Sequence, residues 1–213
     1  MLILGFFFLL RPGEYAYTDN ADASPFRLCD VHLLVMNRRI NPLTCSDADL
    51  HATNFVGLEF TTQKNGVRGE IVGLGRSGHP TLCPVHAMIA RVTHLRLHHA
   101  PQTTPIYATY TFRGWMNIST STLTQHLRVA LSAIQHEVGI TPADISIRSL
   151  RASGAMALLC AEVDTDKIRL LGRWRSDEML RYLHVQAFPI VAPLASQMVR
   201  HGFYSFFPNN NMG

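Results

Sequence analysis

Residues 55–74 read FVGLEFTTQKNGVRGEIVGL, and this stretch decides the fold class. Phe55 to Thr62 and Val67 to Leu74 are rich in β-branched and aromatic residues, which fit a pleated, half-buried surface. Between them Gln63-Lys64-Asn65-Gly66 ends in Asn-Gly, a dipeptide that readily takes the positive φ values of a tight hairpin turn. An antiparallel hairpin is predicted here, and residues 26–35 (FRLCDVHLLV) have the composition of a further strand.

Beyond the hairpin the period changes. Val85, Met88, Ile89, Val92 and Leu95 recur at helical spacing from Pro84, and Pro101 ends the run. Ser119 to Val138 is predicted as one amphipathic helix with Leu123, Leu127, Ala130, Leu131 and Ile134 on its apolar face. Thr141-Pro142-Ala143-Asp144 makes a turn, Ile145 to Cys160 and Asp164 to Leu171 are helical, and Ser176 is placed to cap a further helix. The fold class expected is α+β, mostly helical, with a small antiparallel β-sheet.

With 213 residues and 47% hydrophobic content, the chain is long enough for one sizeable core. Its formal charge of +4 and pI near 9.1 favour an anionic partner only mildly. Cys29, Cys45, Cys83 and Cys160 lack paired CxxC spacing, so reduced intracellular thiols are expected rather than a disulfide framework. Cys83 and His86 form a CxxH pair with no second pair at finger spacing, and no metal or cofactor is expected. The opening MLILGFFFLL is too short to span a bilayer and lacks the basic residues of a signal peptide, so it reads as a buried helix stopped at Arg11-Pro12. Gly73-Leu-Gly75-Arg-Ser-Gly78 matches GxGxxG, but His79-Pro80 follows where a helix should open, so a turn is the reading.

Arg148 and Arg151 stand three apart on a predicted helix and share a face, as a phosphate site or a solvated surface would have them. Arg173 and Tyr182 lie nine apart, which in one unbroken helix turns them to opposite sides. A new helix starting at Ser176 lets them converge. Packing offers an alternative for both aromatic residues: Tyr182 beside Met179 and Leu183, and Trp174 as an anchor.

Taken in order, these pieces resemble the catalytic domain of the tyrosine recombinases, or phage integrases. Leu9-Leu10-Arg11-Pro12-Gly13-Glu14 is similar to the family's first-arginine motif, and Gln63-Lys64-Asn65-Gly66 falls where a hairpin carries the family lysine. Ile147-Arg148-Ser149-Leu150-Arg151 resembles the H-x-x-R box, and Leu171-Gly172-Arg173 with Tyr182 resembles the L-G-H motif and its tyrosine. Arginine replaces histidine at both Arg148 and Arg173, and Gly172-Arg173-Trp174 is closest in character to recombinases of eukaryotic mobile elements such as Cryptons.

The resemblance implies a catalytic domain over residues 1–207 and the lack of the family's upstream core-binding domain, while the composition of residues 208–213 predicts a frayed end. It implies cleavage and rejoining of double-stranded DNA through a 3′-phosphotyrosine, without metal or ATP, inside the cell and in the nucleus of a eukaryote. Tyr182 would attack the phosphate. Arg11, Arg151 and Arg173 would neutralise the phosphorane, Arg148 would occupy the first histidine position, and Lys64 would protonate the leaving 5′-oxygen. Arginine stays protonated to above pH ~12 and cannot deprotonate a tyrosine whose ordinary pKa is ~10. Clustered positive charge lowers that pKa, or His184 acts as base, or the domain is an inactive DNA-binding remnant. The family's tetramers on DNA exchange a C-terminal segment, a role open to Phe188 to Phe207, as is packing onto its own domain.

Overall fold

A computed structural model describes residues 1–20, 23–61, 69–174, 179–180 and 188–201. The apolar start folds as helix α1 (Leu2–Phe7), and a short α2 (Pro12–Tyr15) follows the turn at Leu9 and Leu10. Strands β1 (Val31–Val35) and β2 (Arg38–Ile40) pair antiparallel, α3 (Asp47–Ala52) is capped by Ser46, and β3 (Phe55–Phe60) and β4 (Glu70–Gly75) form the expected antiparallel pair. The four strands lie in the order β2-β1-β3-β4. Their central register sets Leu33 against Val56 and Leu58 against Val72, so the apolar side chains of three strands face one core. The protein is an α+β fold with a small antiparallel sheet.

Helix α4 (Pro84–Leu97) fills that core with Val85, Met88, Ile89, Val92 and Leu95, the same residues whose spacing predicts it. A two-stranded hairpin, β5 (Ala108–Thr111) with β6 (Gly114–Asn117), comes next and has no counterpart in the sequence reading. Arg91 of α4 donates through Nε to the Ile106 carbonyl at 2.9 Å and through a terminal nitrogen to the Ala108 carbonyl, tying the hairpin down.

The single helix expected from Ser119 to Val138 is two. Helix α5 (Thr120–Ser132) ends at Ala133, and α6 (Gln135–Val138) starts after Ile134, whose φ of −124° leaves the helical region. Of the predicted apolar face only Leu123 and Leu131 are buried, while Ile134 is exposed, so no packing holds the helix straight there. A 3₁₀ turn at Pro142–Asp144 then leads into α7 (Arg148–Cys160) and α8 (Thr165–Gly172), the latter capped by Asp164. Short helices α9 (Phe188–Val191) and α10 (Leu194–His201) follow. Among the described residues no helix is long and apolar enough to cross a membrane.

Helices α1 and α7 meet at Gly154, where a Cβ would fall on the Phe6 carbonyl oxygen and within 2.5 Å of a Leu9 methyl. Alanine normally strengthens a helix by about 1 kcal/mol over glycine. Overpacking reverses the sign here: Gly154→Ala is expected to lose about 1–3 kcal/mol in urea unfolding.

A pH effect follows from His94. Its Nε2 accepts the Tyr110 backbone N–H at 3.0 Å, and burial, with Arg91 and His98 adding repulsion, holds its pKa below the ordinary histidine value of 6.5. The native state thus prefers the neutral ring. Its contribution is present above the unfolded-state pKa and lost as pH falls through the folded one, so urea midpoints should fall between pH 7 and 5, less so in His94→Gln.

Candidate anion site at the end of α1

The site is built around a helix end. The last carbonyls of an α-helix have no partner within it and carry its negative pole. After α1 the chain turns at Leu9, whose φ of 49° is left-handed, and the carbonyls of Phe8 and Leu9 are taken by arginines from distant helices. Arg151 of α7 donates to the Leu9 carbonyl at 2.5 Å and with its other terminal nitrogen to the Gly172 carbonyl, while its guanidinium lies 4.2 Å over the Trp174 ring. Arg173, just past α8, donates to the carbonyls of Phe8 at 3.3 Å, Leu9 at 3.3 Å and Leu171 at 3.0 Å. The Leu9 carbonyl thereby joins two guanidiniums.

Arg173 reaches this position because it ends α8 in the left-handed conformation, φ 58° and ψ 38°. The preceding residue must be glycine, since a Cβ at Gly172 would overlap the Trp174 ring. The guanidinium stacks 3.9 Å over Phe60 of β3, linking α8 to the sheet, and its buried Nε has no hydrogen-bond partner among the described residues. Burial lowers its pKa from the ordinary arginine value. Glu14 and Glu70 oppose that shift and Arg11 adds to it.

Glu14 is the counterion. Its Oε2 accepts the Arg11 backbone N–H at 2.7 Å and an Arg173 N–H at 3.2 Å, and its Oε1 lies 3.5 Å from the Arg11 guanidinium. One carboxylate therefore bonds both Arg11 and Arg173, and Arg151 shares the Leu9 acceptor with Arg173 beside them. Tyr15 fixes the next step of the chain: its hydroxyl donates to the Ile147 carbonyl at 2.9 Å, which ties Arg11's segment to the start of Arg148's helix. Burial, with Glu14 beside it, pushes the Tyr15 pKa well above the usual tyrosine value, so this hydroxyl stays protonated.

Arg11 and Arg148 line a cleft of about 700 Å³ between residues 11–24 and α5. Arg128 of α5 lines it as well, with hydroxyls from Thr18, Ser24, Thr120, Ser121, Thr124 and Ser146. The pair expected to share one face is divided: Arg148 is exposed, while Arg151 is 6% exposed and turned into the core. The solvated-surface reading thus fails for Arg151, because the α7 face it occupies packs on α1 through Gly154 and Ala155. Arg151 and Arg173 lie outside the cleft lining. Lys64 and Tyr182 lie outside the described residues, as do the hairpin turn at Asn65-Gly66 and the Ser176 cap.

Sequence reasoning missed Arg128, Phe60 and Glu70. Arg128 stands on the polar face of α5 and holds the Ile145 and Ala143 carbonyls at 2.9 and 3.3 Å; no motif marks it. Cys83 is a buried helix cap, and among the described residues no group of three or more His, Cys, Asp or Glu could hold a metal ion. Neither models of known protein families nor the curated proteins match this chain.

The buried pair should dominate stability over surface pairs. Side chains at Arg173 and Glu14 are 2% and 12% exposed, against 62% and 33% at Arg38 and Asp49. Glu14→Gln is expected to lose about 3 kcal/mol, because it strands a buried guanidinium. Asp49→Asn should shift the urea midpoint far less, because solvent screens that pair. Urea denaturation of both variants, with Glu14→Gln/Arg173→Met recovering part of the loss, checks the contrast.

Proposed function

We propose that the chain is a tyrosine-recombinase-like catalytic domain that cleaves and rejoins double-stranded DNA through Tyr182. The observation that carries the reading is the meeting of Arg11, Arg151 and Arg173 at one turn although they come from three separate segments, with Arg148 tied to it through Tyr15 and Ile147. Guanidiniums gathered at one turn in a partly dry setting favour an anion whose charge grows during reaction. Arg11 and Arg148, on the open cleft, would meet the phosphate oxygens, with Arg128 beside them. Arg151 and Arg173 would hold the turn from behind and supply field.

In this mechanism the Tyr182 hydroxyl gives its proton to His184 or to water, its oxygen attacks phosphorus, the bond to the 5′-oxygen breaks, and a 3′-phosphotyrosine forms. Lys64 gives the leaving 5′-oxygen its proton. The free hydroxyl of a partner strand reverses the step, so the phosphodiester energy is retained. A second reading has its own support: the terminal nitrogens of Arg151 and Arg173 are engaged by carbonyls and Glu14, which suits a DNA-binding remnant that holds phosphate without turnover.

Nicked suicide duplexes separate the two. The wild-type chain should form a covalent adduct resolvable on a denaturing gel, and Tyr182→Phe should abolish it without weakening DNA binding. Arg11→Ala, a half-exposed position, should slow adduct formation roughly a hundredfold with the fold retained. Binding that falls steeply with salt but yields no adduct on several duplexes would establish the remnant, and no DNA binding would remove both readings.

A further inference from the structure

Between Glu70 and Glu137 the chain carries no Asp or Glu, yet Arg76, Arg91, Arg96, Arg113 and Arg128 all fall there. Helix α4, the β5–β6 hairpin and α5 are cut from this acid-free stretch. Most of its arginines are engaged: Arg76 with the carbonyls of His51 and Thr53, Arg91 with the hairpin's first strand, Arg96 with Asp47, Arg128 with Ile145 and Ala143. Arg113 has no carboxylate partner among the described residues. Its guanidinium lies 5.2 Å from the ring of Phe112.

Phe112 and Arg113 form the two-residue tip between Thr111 and Gly114, where glycine supplies φ +93°. Phe112 is 93% exposed, so folding gains almost nothing from its ring. Directly behind the tip Tyr110 and Trp115 are cross-strand partners with centroids 5.3 Å apart, and they too are exposed. His98, at the C-terminal cap of α4, stacks on Tyr110 at 4.4 Å and 21°. The platform is tied down at its base, where Arg91 and His94 of α4 bond the Ala108 carbonyl and the Tyr110 N–H of β5. Strand β6 leads through Ile118 and Ser119 into Thr120, which lines the cleft, so the rings stand close along the chain to the anion site.

We propose that the β5–β6 hairpin is a stacking platform for unpaired bases of single-stranded nucleic acid, with Phe112, Tyr110 and Trp115 meeting base faces and Arg113 the backbone. Exposed rings on a hairpin that carries Arg113 and no carboxylate of its own complement a flexible polyanion whose bases present flat faces. Paired bases in a duplex hide those faces against one another. The platform is independent of turnover at Tyr182 and would serve an active domain or a remnant alike.

Fluorescence anisotropy with a labelled twenty-nucleotide oligothymidylate tests it on the full chain. The wild type should bind, and Phe112→Ala should bind about tenfold more weakly while its urea midpoint stays unchanged, since the ring is almost wholly exposed. Arg113→Gln should flatten the salt dependence. Equal affinity of wild type and Phe112→Ala, or preference for the blunt oligothymidylate–oligoadenylate duplex over the single strand, overturns the proposal. So does ring-dependent binding to phosphatidylserine vesicles with no oligonucleotide binding, which assigns the hairpin to a membrane surface. Tyr182→Phe should behave as wild type in this assay, so its failure and that of the adduct assay are distinguishable.

Discussion

The Leu9 carbonyl accepts hydrogen bonds from both Arg151 and Arg173, and the charged end of the molecule is arranged around that acceptor. The turn after α1 leaves the Phe8 and Leu9 carbonyls to distant donors, and buried carbonyls left unpaired would destabilise the fold. Guanidiniums meet this need better than ammonium groups, because a planar fork can span two acceptors at fixed geometry. Arg151 accordingly bridges the ends of α1 and α8, and Arg173 bridges Phe8, Leu9 and Leu171.

Burying two cations has a cost that the surroundings offset in several ways at once. Glu14 contributes charge, the rings of Trp174 and Phe60 contribute their negative faces, and the carbonyls contribute dipoles. These contacts also transmit position. Phe60 belongs to the sheet, Gly154 admits α1 to α7, and Gly172 admits Trp174, so a shift in any of these elements would displace the turn that carries Arg11. Tyr15 extends the same linkage across the cleft to Ile147 and hence to Arg148.

Much of this frame is legible in the sequence. Continuous apolar runs around Asn-Gly mark β3 and β4, and a 3.6-residue period marks α4, because those elements bury one regular face. The β5–β6 hairpin escapes because its strands are four residues long, largely exposed and joined at Phe112-Arg113, with neither the alternation nor the Asn-Gly that announces a turn. The break in α5 escapes for a related reason: beyond Leu131 its apolar residues face solvent, so periodicity reports a face that has no partner. At the site, the residue types and spacing single out Arg11, Arg148, Arg151 and Arg173. Nothing in the spacing of Arg148 and Arg151 tells that one faces solvent and the other the core, since that depends on α1 packing at Gly154.

The arginines consequently divide by what satisfies them. The terminal nitrogens of Arg151 and Arg173 are engaged by carbonyls and Glu14 and their faces by rings, and removing either would leave carbonyls unpaired, so their contribution to any ligand comes through position and field. Arg148 keeps an exposed guanidinium on the cleft and Arg11 a half-exposed one beside Glu14, and Arg113 keeps one at the hairpin tip. A surface guanidinium gains little from folding, because water already solvates it well. The exposed set is therefore free to respond to an anionic partner, and the buried set fixes where Arg11 and Arg148 stand when it does.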